Sequence, residues 1–136
     1  MYGTALRWII IQMVLTVCLY RPTESSDSCG HLPFGVEDGS IHSDQLIASS
    51  IYDWRFKAER GRLNTVADLD GSGSWAAKSE DENPWIQADL SAVKSVIGVI
   101  TQGREDGKQW VKTYEVYYST NSNNFEPVLG SSGQAE

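Results

Sequence analysis

The sequence predicts an all-β domain, either a sandwich or a barrel built from short strands. Apolar residues alternate with polar ones in residues 85–90 (WIQADL) and 111–118 (VKTYEVYY), which is the two-residue period of a half-buried strand. Clusters of Gly, Ser, Asp and Asn separate the candidate strands at intervals of roughly 8–12 residues. No segment carries an apolar stripe at helical spacing with end caps, and a chain of 136 residues has room for one sizeable core.

The predicted core comes mainly from three strands. Residues 95–101 (SVIGVIT) are β-branched and nearly continuous, which is typical of a strand buried on both sides. Shorter strands are predicted at residues 45–49 and from residue 125 to residue 129. In the two alternating segments, the side chains expected to share an inward face are Ile86, Ala88 and Leu90, and Tyr114, Val116 and Tyr118.

The N-terminal segment predicts a secretory signal peptide. Arg7 precedes an apolar run at residues 8–20 (WIIIQMVLTVCLY), and small polar residues follow Arg21. The alternative is a membrane anchor, but a spanning helix needs about 20 apolar residues, and this run is shorter. We therefore expect residues 1–25 to be removed and residues 26–136 to form a secreted, extracellular domain.

Removal of this segment changes both the charge and the cysteine count. The net charge goes from −7 to −8, which disfavours nucleic acid as a partner because an acidic domain repels phosphate backbones. Cys18 leaves with the signal peptide, so Cys29 is left alone in an oxidising compartment. A lone secreted cysteine implies a partner elsewhere in a longer chain, a disulfide-linked dimer through Cys29, or a free thiol.

Five blocks of this sequence resemble a known extracellular family. The chain is similar to discoidin domains, that is, to the type C domains of coagulation factors five and eight and to the b domains of neuropilins. The blocks occur in the family's order and reach from Cys29 to about Leu129. They are residues 39–50 (GSIHSDQLIASS), 58–64 (AERGRLN), 85–90 (WIQADL), 99–104 (VITQGR) and 110–119 (WVKTYEVYYS).

The resemblance implies a discoidin-type jelly-roll of about eight antiparallel strands that binds ligands and does not catalyse reactions. In this family, loops at one end of the barrel contact phospholipid head groups, carbohydrate or a protein partner. A disulfide normally joins the first cysteine, whose place Cys29 takes, to one at the domain's end. Because the sequence stops at Glu136, we expect a domain that is missing its final strands and that second cysteine.

The resemblance also indicates where a ligand would bind. Tyr52 and Trp54 fall in the first loop at the binding end, where exposed aromatic side chains can stack on a ligand or enter a lipid surface. The alternative is a pair of core aromatics at the barrel mouth. Arg104 and Lys108 belong to a second loop and are expected on the rim. This loop is polar, which disfavours phospholipid.

Two acidic stretches complete the predicted site. Glu80 or Asp81 would supply the acidic group that neuropilin-like pockets use beside the second loop. Asp68 and Asp70 lie two residues apart in a loop rich in Gly and Ser, which is the oxygen-rich kind of loop that calcium prefers. The alternative for this loop is a solvated insertion without a metal.

The sequence contains no catalytic motif for a serine hydrolase, zinc protease or phosphate-binding loop, so we expect no enzyme. The favoured function is an extracellular recognition and adhesion module for a cell-surface glycan or protein. Two alternatives stay open. The domain could be a binding module for phospholipid membrane surfaces, or a truncated product without a binding role. Trp75 and Trp85 match family tryptophans, for which a structural role is expected.

Overall fold

A computed structural model describes residues 14–17, 32–33, 36–79, 83–94 and 96–128. Every strand pairing within these ranges is antiparallel, and the helical segments there are 3₁₀ turns of three or four residues. The all-β prediction is therefore confirmed. None of the helices in the described ranges has the length and hydropathy that crossing a bilayer requires.

The strands form three small sheets, of which one has three strands and two have two. The strand order in the largest is β2-β1-β5, and the pairs β3–β4 and β6–β7 make the others. The strands are β1 (Val14–Val17), β2 (Leu32–Pro33), β3 (Leu46–Ala48), β4 (Ile86–Ala88), β5 (Val96–Ile100), β6 (Tyr117–Tyr118) and β7 (Glu126–Pro127). The 3₁₀ turns are η1 (Ser43–Gln45), η2 (Trp54–Phe56) and η3 (Ala58–Gly61).

The buried core lies against the β3–β4 pair. Leu46 of β3 is opposite Ala88 of β4, and Ala48 is opposite Ile86. These side chains share a sheet face because successive residues of a strand point to opposite sides. The predicted inward face of residues 85–90 is confirmed, since its three residues pack on this core. The core cluster consists of Val36, Ile41, Leu46 and Ala58, with Ala48, Ile86, Ala88 and Leu90 packed around it.

Among the residues that the structure describes, Trp75 is the largest fully buried side chain, with an exposed fraction of 0%. Its indole N–H donates a hydrogen bond of 2.9 Å to the carbonyl oxygen of Ser50. A buried indole needs such an acceptor, so the expected structural role of Trp75 agrees with its setting. Trp85 is exposed, although its backbone N–H donates to Ser49 Oγ at 3.0 Å.

Two predictions about the later strands are wrong. Residues 95–101 do form a strand, β5, but Val96 and Ile100 are exposed, so this strand is not buried on both sides. In residues 111–118 only Tyr117 and Tyr118 are in a strand, and Tyr114 and Tyr118 are exposed. The physical reason is that β6 pairs with β7 in a separate two-stranded sheet, which places these aromatic side chains away from the β3–β4 core.

The strand β1 lies inside the predicted signal peptide. Val14–Val17 pairs with β5 in a register that sets Val14 opposite Ile100 and Val17 opposite Val96. The apolar, β-branched character of this segment suits a strand as well as a signal peptide. Processing after residue 25 stays a prediction. Cys18, Cys29, Glu80 and Asp81 lie outside the described residues.

Candidate functional site

Three neighbouring loops form the candidate site, and two of them meet at the buried Phe56. We call them the Trp54 loop (residues 50–57), the Asp68 loop (residues 66–72) and the Arg104 loop (residues 103–110). The Tyr52 ring meets the Phe56 ring edge-on at 5.7 Å between centroids, and the Arg104 guanidinium carbon lies 5.0 Å from the Phe56 centroid. Both contacts are favourable because an aromatic ring has a negative face and a positive edge.

The Trp54 loop is shaped by a cap at the start of η2. The Asp53 carboxylate accepts from the backbone N–H of Arg55 at 2.9 Å and from the Arg55 guanidinium at 2.7 Å. The Arg55 side chain lowers the pKa of Asp53, and the Arg55 backbone N–H lowers it further. This short turn directs Phe56 inward and Trp54 outward, where Trp54 is 59% exposed.

The Arg104 loop is closed by an ion pair. The Arg104 guanidinium donates to both Asp106 carboxylate oxygens, at 2.6 Å and 2.7 Å, and to Gln109 Oε1 at 2.8 Å. Ser72 Oγ also donates to Asp106 at 3.1 Å, which joins this loop to the Asp68 loop. The Arg104 side chain lowers the pKa of Asp106 to about 2. A guanidinium held in this way positions the loops, and contact of Arg104 with a ligand at the rim stays a prediction.

The Asp68 loop packs against the backbone of η2. Asp68 and Gly71 exchange backbone hydrogen bonds at 2.9 Å and 3.3 Å, and the Ser72 N–H donates to the Arg55 carbonyl at 2.8 Å. Gly71 has φ +151°, and a Cβ atom built there would lie 2.5 Å from the Arg55 carbonyl oxygen. Only glycine fits this close approach of two backbones.

A groove of about 510 Å³ lies between the Trp54 loop, η3 and the Asp68 loop. Leu69 projects from the Asp68 loop with 97% of its surface exposed. The groove therefore combines an aromatic face and an aliphatic tip with acids and bases, a mixture that suits a partly polar ligand. Its lining residues are Trp54, Lys57, Glu59, Arg60, Leu69 and Asp70.

The structure brings some of the predicted site residues together and separates others. Trp54 and Asp70 line the same groove, whereas Tyr52 is half-exposed and packs on Phe56. Lys108 is exposed on the Arg104 loop. Their ligand-binding roles stay predictions, as do those of Glu80 and Asp81, which lie outside the described residues.

Sequence reasoning missed four lining residues. Lys57, Glu59 and Arg60 follow directly after the Trp54 loop, in a stretch without a clean period. Leu69 could have been recognised from the sequence, because it is the single apolar residue within the polar run at residues 68–74 (DLDGSGS). An isolated leucine in such a loop has no core to join.

Of the two predicted calcium ligands, Asp68 and Asp70, the Asp68 carboxylate already accepts hydrogen bonds from protein donors. Asp68 Oδ2 pairs with Arg60 at 3.2 Å, while Asp68 Oδ1 accepts from the Asp70 backbone N–H at 2.9 Å. In the described part of the chain, no three or more His, Cys, Asp or Glu side chains are grouped so as to hold a metal ion. Calcium binding by this loop stays a prediction.

Comparisons with known proteins agree with this architecture. The sequence model of the F5/8 type C domain family matches residues 45–136. Retinoschisin of Mus musculus is 36% identical over 96 residues, which cover 66% of this chain and 41% of that protein. Lactadherin of Sus scrofa is 35% identical over 106 residues, covering 73% of this chain and 25% of the relative. Neuropilin-1 of Homo sapiens is 40% identical over 91 residues, which cover 64% of this chain and 9% of that protein.

The chain thus spans less than half the length of these curated relatives. No solved structure matches it. The family match extends over more than half of the chain and includes the Trp54, Asp68 and Arg104 loops. The chain belongs to the F5/8 type C, or discoidin, domain family.

Proposed function

We propose that this domain is an extracellular recognition and adhesion module that binds a cell-surface glycan or protein in the groove beside Trp54. The observation that carries the proposal is the exposed indole of Trp54 next to Asp70 in one groove. An indole offers a large flat apolar face, and carboxylates accept hydrogen bonds from hydroxyl and amide groups. Sugar rings and peptide segments present both kinds of surface.

The fixed geometry of the loops supports a binding role. Hydrogen bonds join the Asp68 loop to the Trp54 loop through Ser72 and Arg55, and to the Arg104 loop through Ser72 and Asp106. Because these contacts exist before a ligand arrives, little ordering entropy remains to be lost on binding. A preorganised surface without catalytic chemistry fits recognition, and we propose no enzymatic activity.

Location and partners follow from the same reasoning. The predicted signal peptide and membership of the F5/8 type C domain family support a location outside the cell, where glycans and receptor ectodomains are the available ligands. The formal charge of −8 after the predicted processing disfavours nucleic acid and anionic surfaces. Pairing through Cys29 to a second copy remains a further proposal, and non-reducing electrophoresis would test it.

The test of this proposal compares alanine variants of two tryptophans that have nearly the same exposed fraction. Trp54 in the groove is 59% exposed, and Trp110 outside it is 57% exposed. Binding would be measured on a glycan array and on a panel of immobilised receptor ectodomains, with circular dichroism on the same samples. We expect Trp54→Ala to weaken binding roughly 30-fold or more, since hot-spot truncations cost about 2 kcal/mol or more. Trp110→Ala should bind like the wild type.

Lys108→Ala should weaken binding only mildly, because a rim charge mainly changes the association rate. If Trp54→Ala unfolds the domain, Trp54 supports the core and the site assignment is wrong. If both tryptophan variants bind equally well, the ligand lies elsewhere. A wild-type protein that binds no member of either panel would favour the alternative that this domain has no binding role of its own.

A second candidate function is binding to phospholipid surfaces. The observation that favours it is the pair of exposed apolar side chains at the loop tips, Leu69 and Trp54, with Val66 also exposed nearby in sequence. Against it stand Glu59 and Asp70 in the same groove, which repel anionic head groups. Sedimentation with phosphatidylcholine vesicles, with and without phosphatidylserine, separates the two. Loss of vesicle binding in Leu69→Ser, with glycan binding retained, would establish the lipid function.

A further inference from the structure

Four oxygen atoms of the Asp68 loop converge on one side chain, Arg60. Its Nε donates to the Ser72 carbonyl at 2.7 Å, and its Nη2 donates to the carbonyls of Val66 at 2.6 Å and Gly71 at 3.2 Å. Its Nη1 donates to Asp68 Oδ2 at 3.2 Å. The Arg60 side chain is only 13% exposed, so the loop is wrapped around it.

This acceptor set has the composition of a hard-cation site. Backbone carbonyls and a carboxylate are the oxygen ligands that Ca²⁺ takes from protein loops. A guanidinium offers a permanent positive charge and five N–H donors in a planar fork, so it can satisfy several such oxygens at once. Two cations cannot share these four oxygens, because the like charges would repel each other at contact distance.

We propose that Arg60 is the resident cation of the Asp68 loop and positions one wall of the groove without a metal ion. Arg60 is a positioning residue in this role. It holds the loop that carries Leu69 and Asp70, and all three residues line the groove. The loop geometry is therefore independent of Ca²⁺. The consequence for ligand binding rests on the proposed function, but the arrangement of the loop does not.

Neighbouring contacts show why the loop needs a fixed cation. The Ser72 carbonyl accepts from Arg60, while the Ser72 N–H and Oγ reach Arg55 and Asp106 of the two other loops. Ser72 is buried, and these bonds connect it to Arg60 and to both other loops. Loss of Arg60 would deprive the partly buried Ser72 carbonyl of its guanidinium donor, which is costly.

The primary experiment is a Ca²⁺ titration of the wild-type protein, expressed as the full chain in secreting cells. Thermal unfolding would be followed from EDTA up to about 10 mM Ca²⁺, roughly ten times the weakest dissociation constant of extracellular calcium modules. We expect the Tm to stay constant. A saturable rise in Tm that disappears in Asp68→Asn would overturn the proposal. This titration needs no ligand, so its outcome is separate from that of the proposed function.

The second experiment removes the guanidinium. We expect Arg60→Ala to lower the Tm by roughly 5–15 °C and to gain a Ca²⁺-dependent partial recovery, because the four oxygens are released. Tb³⁺ luminescence excited through tryptophan should appear in this variant and vanish in Arg60→Ala combined with Asp68→Asn. An unchanged Tm in Arg60→Ala, or a lowered Tm that does not respond to Ca²⁺ or Tb³⁺, would overturn the proposal.

Arg62 provides the matched control. It is a partly buried arginine two residues away that also donates to backbone carbonyls, those of Val36 and Ile41. Arg62→Ala should lower the Tm without any gain of Ca²⁺ or Tb³⁺ binding, since the Asp68 loop keeps Arg60. If Arg60→Ala does not fold, Arg60→Lys takes its place. The lysine variant should fold with a lowered Tm and no response to Ca²⁺, and a response would overturn the proposal.

Discussion

The contact between Gly71 and the η2 backbone allows a stability prediction with internal controls. Gly71→Ala would place a Cβ atom 2.5 Å from the Arg55 carbonyl oxygen, at a φ of +151° that L-residues rarely adopt. Neither atom can move freely, because the Arg55 carbonyl is backbone and also accepts from the Ser72 N–H at 2.8 Å. The loop must therefore shift away from the turn.

The expected cost has three parts. The unfavourable φ contributes about 1–3 kcal/mol, and the overpacked contact contributes about 1–3 kcal/mol. Weakening of the bond from Ser72 to Arg55 adds about 0.5–1.5 kcal/mol. Because a shift of the loop relieves part of each, we expect a total loss of about 2–6 kcal/mol in the free energy of unfolding, against a typical domain stability of about 5–15 kcal/mol.

Substitutions at two other glycines separate the backbone contribution from the packing contribution to this cost. Gly39 has φ +84° but has no atom within 4 Å of a built Cβ, so Gly39→Ala measures the backbone cost alone, about 1–2 kcal/mol. Gly98 has neither a positive φ nor a close neighbour, so Gly98→Ala should stay within about 0.5 kcal/mol of the wild type.

Urea denaturation followed by tryptophan fluorescence would give all three free energies. The expected order of stability loss is Gly71 first, Gly39 second and Gly98 last. If Gly71→Ala costs no more than Gly39→Ala, the close packing of the Asp68 loop on η2 is wrong, and with it the wall of the groove.

Three further predictions concern the core, the pH dependence and processing. Trp75→Phe should lower the free energy of unfolding by about 1–3 kcal/mol, because the partly buried Ser50 carbonyl loses its indole donor. An unchanged urea midpoint would contradict this. Since Arg104 lowers the pKa of Asp106 to about 2, the stability contributed by the ionised carboxylate is present above the unfolded-state pKa near 4 and is lost as the pH falls through about 2. The stability difference between the wild type and Asp106→Asn should therefore shrink over that range in acid titrations, and a constant difference would refute the assignment. N-terminal sequencing of secreted protein should find a new terminus after about Ser25, whereas Met1 on a cell-retained protein would disprove signal-peptide cleavage.

Part of the candidate site could be predicted from the sequence. Trp54 and Tyr52 alternate with Asp53 and Arg55, a pattern typical of a half-exposed loop, and both aromatic residues are exposed. The resemblance placed this loop beside the Arg104 loop, and Phe56 and Arg104 do meet. Family motifs carry such information because loops at one end of a conserved fold stay neighbours.

Other parts of the site could not be predicted. The sequence placed Arg104 on the rim of the site, but it did not indicate the bidentate pair that Arg104 forms with Asp106. It also suggested Asp68 as a calcium ligand, which stays a prediction, but it gave no sign that Asp68 pairs with Arg60 eight residues earlier. The sequence shows that a charged residue needs a partner when it is buried. Only the tertiary structure determines whether that partner is a ligand, a metal ion or another side chain.

The sequence by itself determined the all-β class, the β3 and β4 strands and the inward face of Ile86 and Ala88, because strand alternation and turn composition are local properties. The tertiary structure alone decided that Val96, Ile100, Tyr114 and Tyr118 are exposed. Periodicity shows which side chains share a face, whereas burial depends on whether another element covers that face. The groove has the same origin, since Trp54, Arg60 and Leu69 become neighbours only when the Trp54 loop, η3 and the Asp68 loop pack together.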